Sequence, residues 1–168
     1  MRRRDFLKLA GLGSATAGLG AFAYRVGGWW NQPTASDRRV LSRTESTIAE
    51  AIADALFPGE PDGLPAGSDV DVVDHLDSYL DAVDDRTSQL LRLLLHIIDD
   101  VSIFGDLSLT RFRHRPRDER IAILRRWDES PWMVRRRAFR GLKLILAGGY
   151  CSSTAVLETL GYHFRCEG

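Results

Sequence analysis

The chain has 168 residues, 44% of them apolar, with 23 basic and 23 acidic side chains, enough for one domain with a hydrophobic core. Residues 1–23 hold four of the basic and one of the acidic side chains, which leaves 19 basic against 22 acidic beyond them. That small negative excess gives no reason to expect nucleic-acid binding. The two cysteines, Cys151 and Cys166, fit neither zinc-finger nor haem-attachment spacing.

The N-terminus reads Met1-Arg-Arg-Arg-Asp-Phe-Leu-Lys8, followed by a Gly- and Ala-rich apolar stretch from Leu9 to Tyr24. Arg3-Arg4, one free position, then Phe6-Leu7-Lys8 resembles the twin-arginine signal motif, with Arg2 where a Ser or Thr is usual. As a helix, residues 9–24 would reach about 24 Å, short of the roughly 30 Å of a bilayer core. Ala21-Phe22-Ala23 supplies a small-x-small cleavage site. Residues 1–23 are therefore expected to be a signal peptide. A leader left uncleaved would act as a membrane tether.

Residues 24–40, with Gly27-Gly28, Trp29-Trp30 and Pro33, read as a linker. The paired tryptophans could dock on the domain, sit at a membrane interface or touch a partner. Residues 41–168 form the expected domain. Its first helix starts at Ser42, whose spacing to Glu45 is that of a capping box, and carries Ile48, Ile52, Ala55 and Leu56 on one stripe until Pro58-Gly59. After a loop over 58–69, a second helix over 70–84 places Val72, Val73, Leu76, Tyr79, Leu80 and Val83 inward. Asp71, Asp74, Asp77, Asp81 and Asp84 are expected on its other side.

The third helix, 86–104, is apolar nearly all round, which predicts the buried centre of a bundle; its polar stripe is Arg92, His96, Asp99 and Asp100. Pro116, Asp118 and Glu119 open a fourth helix that buries Ile121, Leu124 and Trp127. Ser130-Pro131 is read as the cap and first position of a fifth helix, with Trp132, Ala138, Phe139, Leu142, Ile145 and Leu146 as its apolar part and Gly148-Gly149 as its end. A short helix from Ser153 to Leu160 closes at Gly161. No segment alternates with period two, so the predicted fold is all-α, a compact bundle of five to six helices.

Charge is segregated. Residues 60–106 hold twelve acidic and two basic residues, and residues 107–143 hold twelve basic and four acidic. Packing of the two halves against each other would neutralise them. Otherwise Arg135, Arg136, Arg137, Arg140 and Lys143 would make a basic face for an acidic partner or lipid head groups.

No nucleophile elbow, phosphate loop or dinucleotide fingerprint occurs. None of His75, His96, His114 and His163 has a Glu three positions ahead, as a di-iron bundle needs. Asp71 with His75, and His96 with Asp99 and Asp100, read as ordinary polar pairs. The chain is expected to be non-catalytic and to hold neither metal nor cofactor. In an oxidising compartment Cys151 and Cys166 could close a disulfide.

Several segments resemble, in order, the gluconate 2-dehydrogenase subunit 3 family. They are Ala51-Ile-Ala-Asp-Ala-Leu-Phe-Pro-Gly59, Asp71-Val-Val-Asp-His-Leu-Asp77, Phe104-Gly105, Phe112, Arg120-Ile-Ala-Ile-Leu-Arg-Arg-Trp127 with Ser130, Phe139 to Leu146, Tyr150 and Leu160-Gly161-Tyr162. Cys151 and Cys166 depart from the pattern. The resemblance implies a small subunit exported by the twin-arginine translocon and located in the periplasm, free or membrane-associated. Its partner would be a flavoprotein dehydrogenase large subunit that binds the FAD, with a cytochrome c subunit as a further candidate. The leader residues Arg3, Arg4, Phe6, Leu7 and Lys8 would carry export. Trp29, Trp30, Trp132, Arg136 and Arg140 are candidates for partner contact, with Trp132, like Trp127, also fitting a core position. The competing expectation is a stand-alone exported helical binding module.

Overall fold

The computed structural model of the chain describes residues 27–29, 32–59, 63–105 and 110–162, with backbone alone over 101–105. Arg3, Arg4, Phe6, Leu7, Lys8, Ala21, Ala23, Trp30 and Cys166 lie outside the described residues. The chain divides into two units, Met1–Pro33 and Thr34–Gly168. The described parts of the first are a helical stretch over 27–29 that carries Trp29, and residues 32–33.

The second unit is all-α. Among the described residues it has six α-helices: α1 Arg43–Leu56, α2 Val72–Ala82, α3 Asp85–Gly105, α4 Arg117–Asp128, α5 Met133–Ser152 and α6 Thr154–Thr159. A 3-10 turn at Phe112–His114 and an isolated bridge between Thr34 and Ser42 complete it. Every core residue among those described lies between Leu41 and Val156, so the chain from Thr34 onward carries its own core.

The predicted capping box opens α1: the Ser42 N–H donates to Glu45 Oε2 at 2.8 Å, and the Glu45 N–H donates to Ser42 Oγ at 3.3 Å. Nine of the fourteen residues of α1 are buried, and it packs against α2, α3, α4 and the 3-10 turn. The centre of the bundle is thus α1, not the third helix as its apolar composition predicts. The small side chains of Ala49, Ala51, Ala53 and Ala55 allow neighbours to close in from several sides. In α3, Leu94, Leu95 and Ile98 are buried while Leu90 is 57% exposed. The polar stripe of α3 faces inward instead, because Glu45 and Arg113 wait there to meet it.

Helix α2 buries Val72, Val73, Leu76 and Leu80 as expected, but Tyr79 is exposed and Asp77 is buried. Asp77 accepts the backbone N–H groups of Arg39, Val40 and Leu41 at 2.7, 3.0 and 2.9 Å. Residues 34–40, the end of the stretch read as a linker, are fastened to the domain by this carboxylate and by the Ala35 N–H bond to Leu41 O at 3.0 Å.

Helix α5 begins at Met133 with Trp132 as its N-cap, two residues after the predicted cap Ser130. It also runs through Gly148-Gly149 to Ser152 rather than stopping there. A Cβ on Gly149 would lie 2.8 Å from the Cβ of His75, so this glycine sets the close approach of α2 and α5. Gly161 does end its helix: with φ of 82° it donates to Glu158 O, and the Tyr162 N–H donates to Leu157 O, the paired bonds of a Schellman motif.

Candidate functional site

Most of the buried charge of this domain is bound up in its framework. Glu45, 1% exposed, receives Arg92 Nε at 2.9 Å and Nη2 at 3.2 Å, and His96 Nε2 lies 3.3 Å from its Oε1. Burial alone would raise the pKa of this carboxyl. The His96 imidazole beside it and the hydrogen bonds from Arg92 and Ser42 outweigh that and hold it down to about 2. Asp54, at the other end of α1, is clasped by Arg117 and by Arg120, whose Nη2 is 2.6 Å away. Asp99 accepts the Arg113 N–H at 3.1 Å and lies 3.3 Å from its Nη1. Burial of Asp77 is likewise outweighed, by its three backbone donors, and its pKa falls below the ordinary value.

These pairs show how the segregated charges are resolved. Among the described residues, Asp99 with Arg113 and Asp100 with Arg111 join the acidic segment to the basic one. Asp74 and Asp81 pair instead with Arg38 and Arg39, ahead of α1, while Arg117 and Arg120 take Asp54 of α1. The halves are thus met partly by each other, partly by Arg38, Arg39 and Asp54 outside both, and partly, at Glu119 and Asp128, from within the basic half.

The corner where α4 turns into α5 is different. Trp127 is in the core, 4% exposed, with the guanidinium of Arg135 4.3 Å from its ring centroid. Trp132 is not in the core: it is 75% exposed, and Met133 and Val134 beside it are 52% and 80% exposed. The turn beneath them is fixed. Arg136 Nη1 donates to Ser130 O at 2.8 Å, and the Trp132 N–H donates to Ser130 Oγ at 3.3 Å. Arg140 and Lys143 reach back to Asp128 at 2.8 and 3.2 Å, which lowers the Asp128 pKa. Arg137 is exposed on the outer face.

Of the predicted contact residues, then, Trp132 is presented to solvent, and Arg136 and Arg140 are engaged within the corner. Trp29 belongs to the other unit. Met133, Val134 and Leu144, the last 74% exposed, were not singled out by the sequence reading. The unbroken Trp-Met-Val before three arginines was the available signal.

An open cleft of about 500 Å³ lies between α2 and the α5–α6 junction, lined by Asp69, Asp71, Asp74, His75, Gly149 and Ser152 among others. Asp71 and His75 do share it, but Asp74 is paired with Arg38. Among the described residues no group of three or more His, Cys, Asp or Glu is placed to hold a metal ion. Cys151 is exposed on the last turn of α5, and its expected partner Cys166 is outside the described residues. Among the described residues no helix is long and apolar enough to cross a membrane.

Comparison with family models, with curated proteins and with solved structures found no match to this chain.

Proposed function

We propose that this chain is a non-catalytic accessory subunit of an exported, flavin-dependent alcohol or sugar dehydrogenase. It would supply the twin-arginine signal for a complex that crosses the membrane already folded, and it would stabilise the large subunit that binds the FAD. The observation that carries this reading is the leader Arg3-Arg4-Asp5-Phe6-Leu7-Lys8 joined to family-like helix segments in family order. A second feature supports it: Glu45, Asp54, Asp77 and Asp99 are all engaged by guanidinium or backbone donors that hold the bundle together. Such groups serve stability and positioning rather than proton transfer to a substrate.

The test is affinity purification of the full chain from the native envelope fraction, followed by the visible absorption spectrum of the eluate. A stoichiometric flavoprotein that disappears from the periplasm when Arg3-Arg4 become Lys-Lys is the expected result. A colourless chain eluting alone would overturn the subunit reading.

A further inference from the structure

We infer that the outer face of α5, led by Trp132, Met133 and Val134, docks on an anionic phospholipid surface. This goes beyond the subunit reading and does not depend on it.

Three observations converge. The first is shape: Trp132, Met133 and Val134 are consecutive, more than half exposed, and held at a helix start by the Arg136 and Ser130 hydrogen bonds. They form an apolar projection, and none of them lines either of the clefts at α2 or between α1 and α4. A projecting tryptophan with aliphatic neighbours suits the boundary of headgroups and acyl chains, where an indole keeps its N–H wet and its ring dry.

The second is the sign of the charge. The twenty residues of α5 contain Arg135, Arg136, Arg137, Arg140 and Lys143 and no Asp or Glu. Helices α1, α2, α3 and α4 each carry an acidic residue in the first turn, as the positive end of a helix dipole favours. The first turn of α5 carries none, and three arginines follow Val134 directly. An anionic surface lying against this end relieves that repulsion. The buried carboxylates cannot do so, since their donors are already in place.

The third is alignment. Met133, Arg137, Arg140 and Leu144 recur at helical spacing on one side of α5, with Val134 on its flank, all exposed. The opposite side buries Phe139, Leu142, Leu146 and Gly149 in the bundle. A helix lying in the plane of a membrane surface would bury Met133, Val134 and Leu144 while Arg137 extends sideways to phosphates; Arg140, which holds Asp128, would have to exchange that carboxylate for a phosphate to join it. An acidic protein partner would use the same charges, but the projecting Trp132, Met133 and Val134 beside them suit a lipid boundary.

Vesicle flotation decides the matter. The chain from Thr34 onward, which contains the whole described core, is mixed with vesicles of phosphatidylcholine, or of phosphatidylcholine and phosphatidylglycerol in equal parts. The expected result is binding to the anionic vesicles that weakens as salt is raised. The W132S V134S double variant should lower the partition coefficient about tenfold or more, because two apolar side chains no longer leave water. Arg137→Glu should lower it as well, and both variants should melt as the parent does, since the altered side chains are exposed.

Equal binding to neutral and anionic vesicles, no binding to either, or unchanged binding by W132S V134S would each overturn the inference. So would a protein partner that is lost with W132S V134S while vesicles are ignored. Should the shortened chain fail to fold, the same variants are compared within the full chain. The leader is then common to both sides, and a difference of less than twofold would count against the proposal.

Discussion

Helix α1 and the start of α5 are both rich in charged contacts, yet they use charge in opposite ways. In α1, Glu45 and Asp54 are buried and surrounded by donors from distant parts of the chain: Arg92, His96, Arg117 and Arg120. At the start of α5 Arg136 meets the Ser130 carbonyl, Arg140 meets Asp128 and Arg135 lies over the Trp127 ring, while the apolar residues beside them face water. The difference teaches that the buried carboxylates specify how the helices meet, whereas the α5 corner contributes little to that specification and remains available for contact.

The sharpest way to break this contrast is Glu45→Ala. It would strand Arg92 and His96 against the core and remove one bond of the capping box. Truncating one partner of a buried ion pair costs about 3–5 kcal/mol, which urea denaturation would register as a large drop in midpoint. A loss below about 1 kcal/mol would mean that the Glu45 cluster is no more important than a surface pair.

Acid should reproduce much of that loss without mutation. The Glu45 carboxyl titrates lower in the folded state, at about 2, than its ordinary value of 4.5. Its contribution is therefore fully present above about pH 4.5 and disappears as pH falls toward 2, to the extent of about 3 kcal/mol. Asp77, also depressed, acts in the same direction. Stability measured from pH 6 down to 2 should fall steadily below about pH 4.5, and Glu45→Gln should flatten the curve.

Gly149→Ala tests the packing that lies between the two regions. The added methyl meets the Cβ of His75 at 2.8 Å, close to the α2 backbone, where little can give way. Overpacking of this kind costs about 1–3 kcal/mol, offset by about 1 kcal/mol of helix propensity. A net loss of about 1–2 kcal/mol is expected from thermal melts.

Trp132→Ala, at the corner, should change stability by no more than about 0.5 kcal/mol, as a mostly exposed side chain does. A larger loss in the same melt would place Trp132 in the architecture, on the same footing as Trp127.

Helix existence and type were legible in the chain because they follow from local patterns. The Ser42–Glu45 spacing, the stripe of Ile48 and Ile52, the apolar positions of α2 and the closing Gly161 are each written within one or two turns. Other features depend on residues far apart in the chain. Asp77 looked like one member of a solvated acidic row, and only the arrival of residues 39–41 makes it a buried acceptor. Gly148-Gly149 resembles a helix stop, and only the presence of His75 turns it into a packing contact.

By itself the sequence determined that this protein is all-α, where most of its helices begin and end, and that its N-terminus resembles a twin-arginine leader. Backbone periodicity and capping are local and need no partner to be read. Tertiary structure alone decided that α1 is the central helix, that the stripe of Arg92, His96 and Asp99 points inward, and that Trp132 stays outside the core. A helix has one apolar and one polar side in its own sequence, but which side is covered depends on what the rest of the chain brings to it.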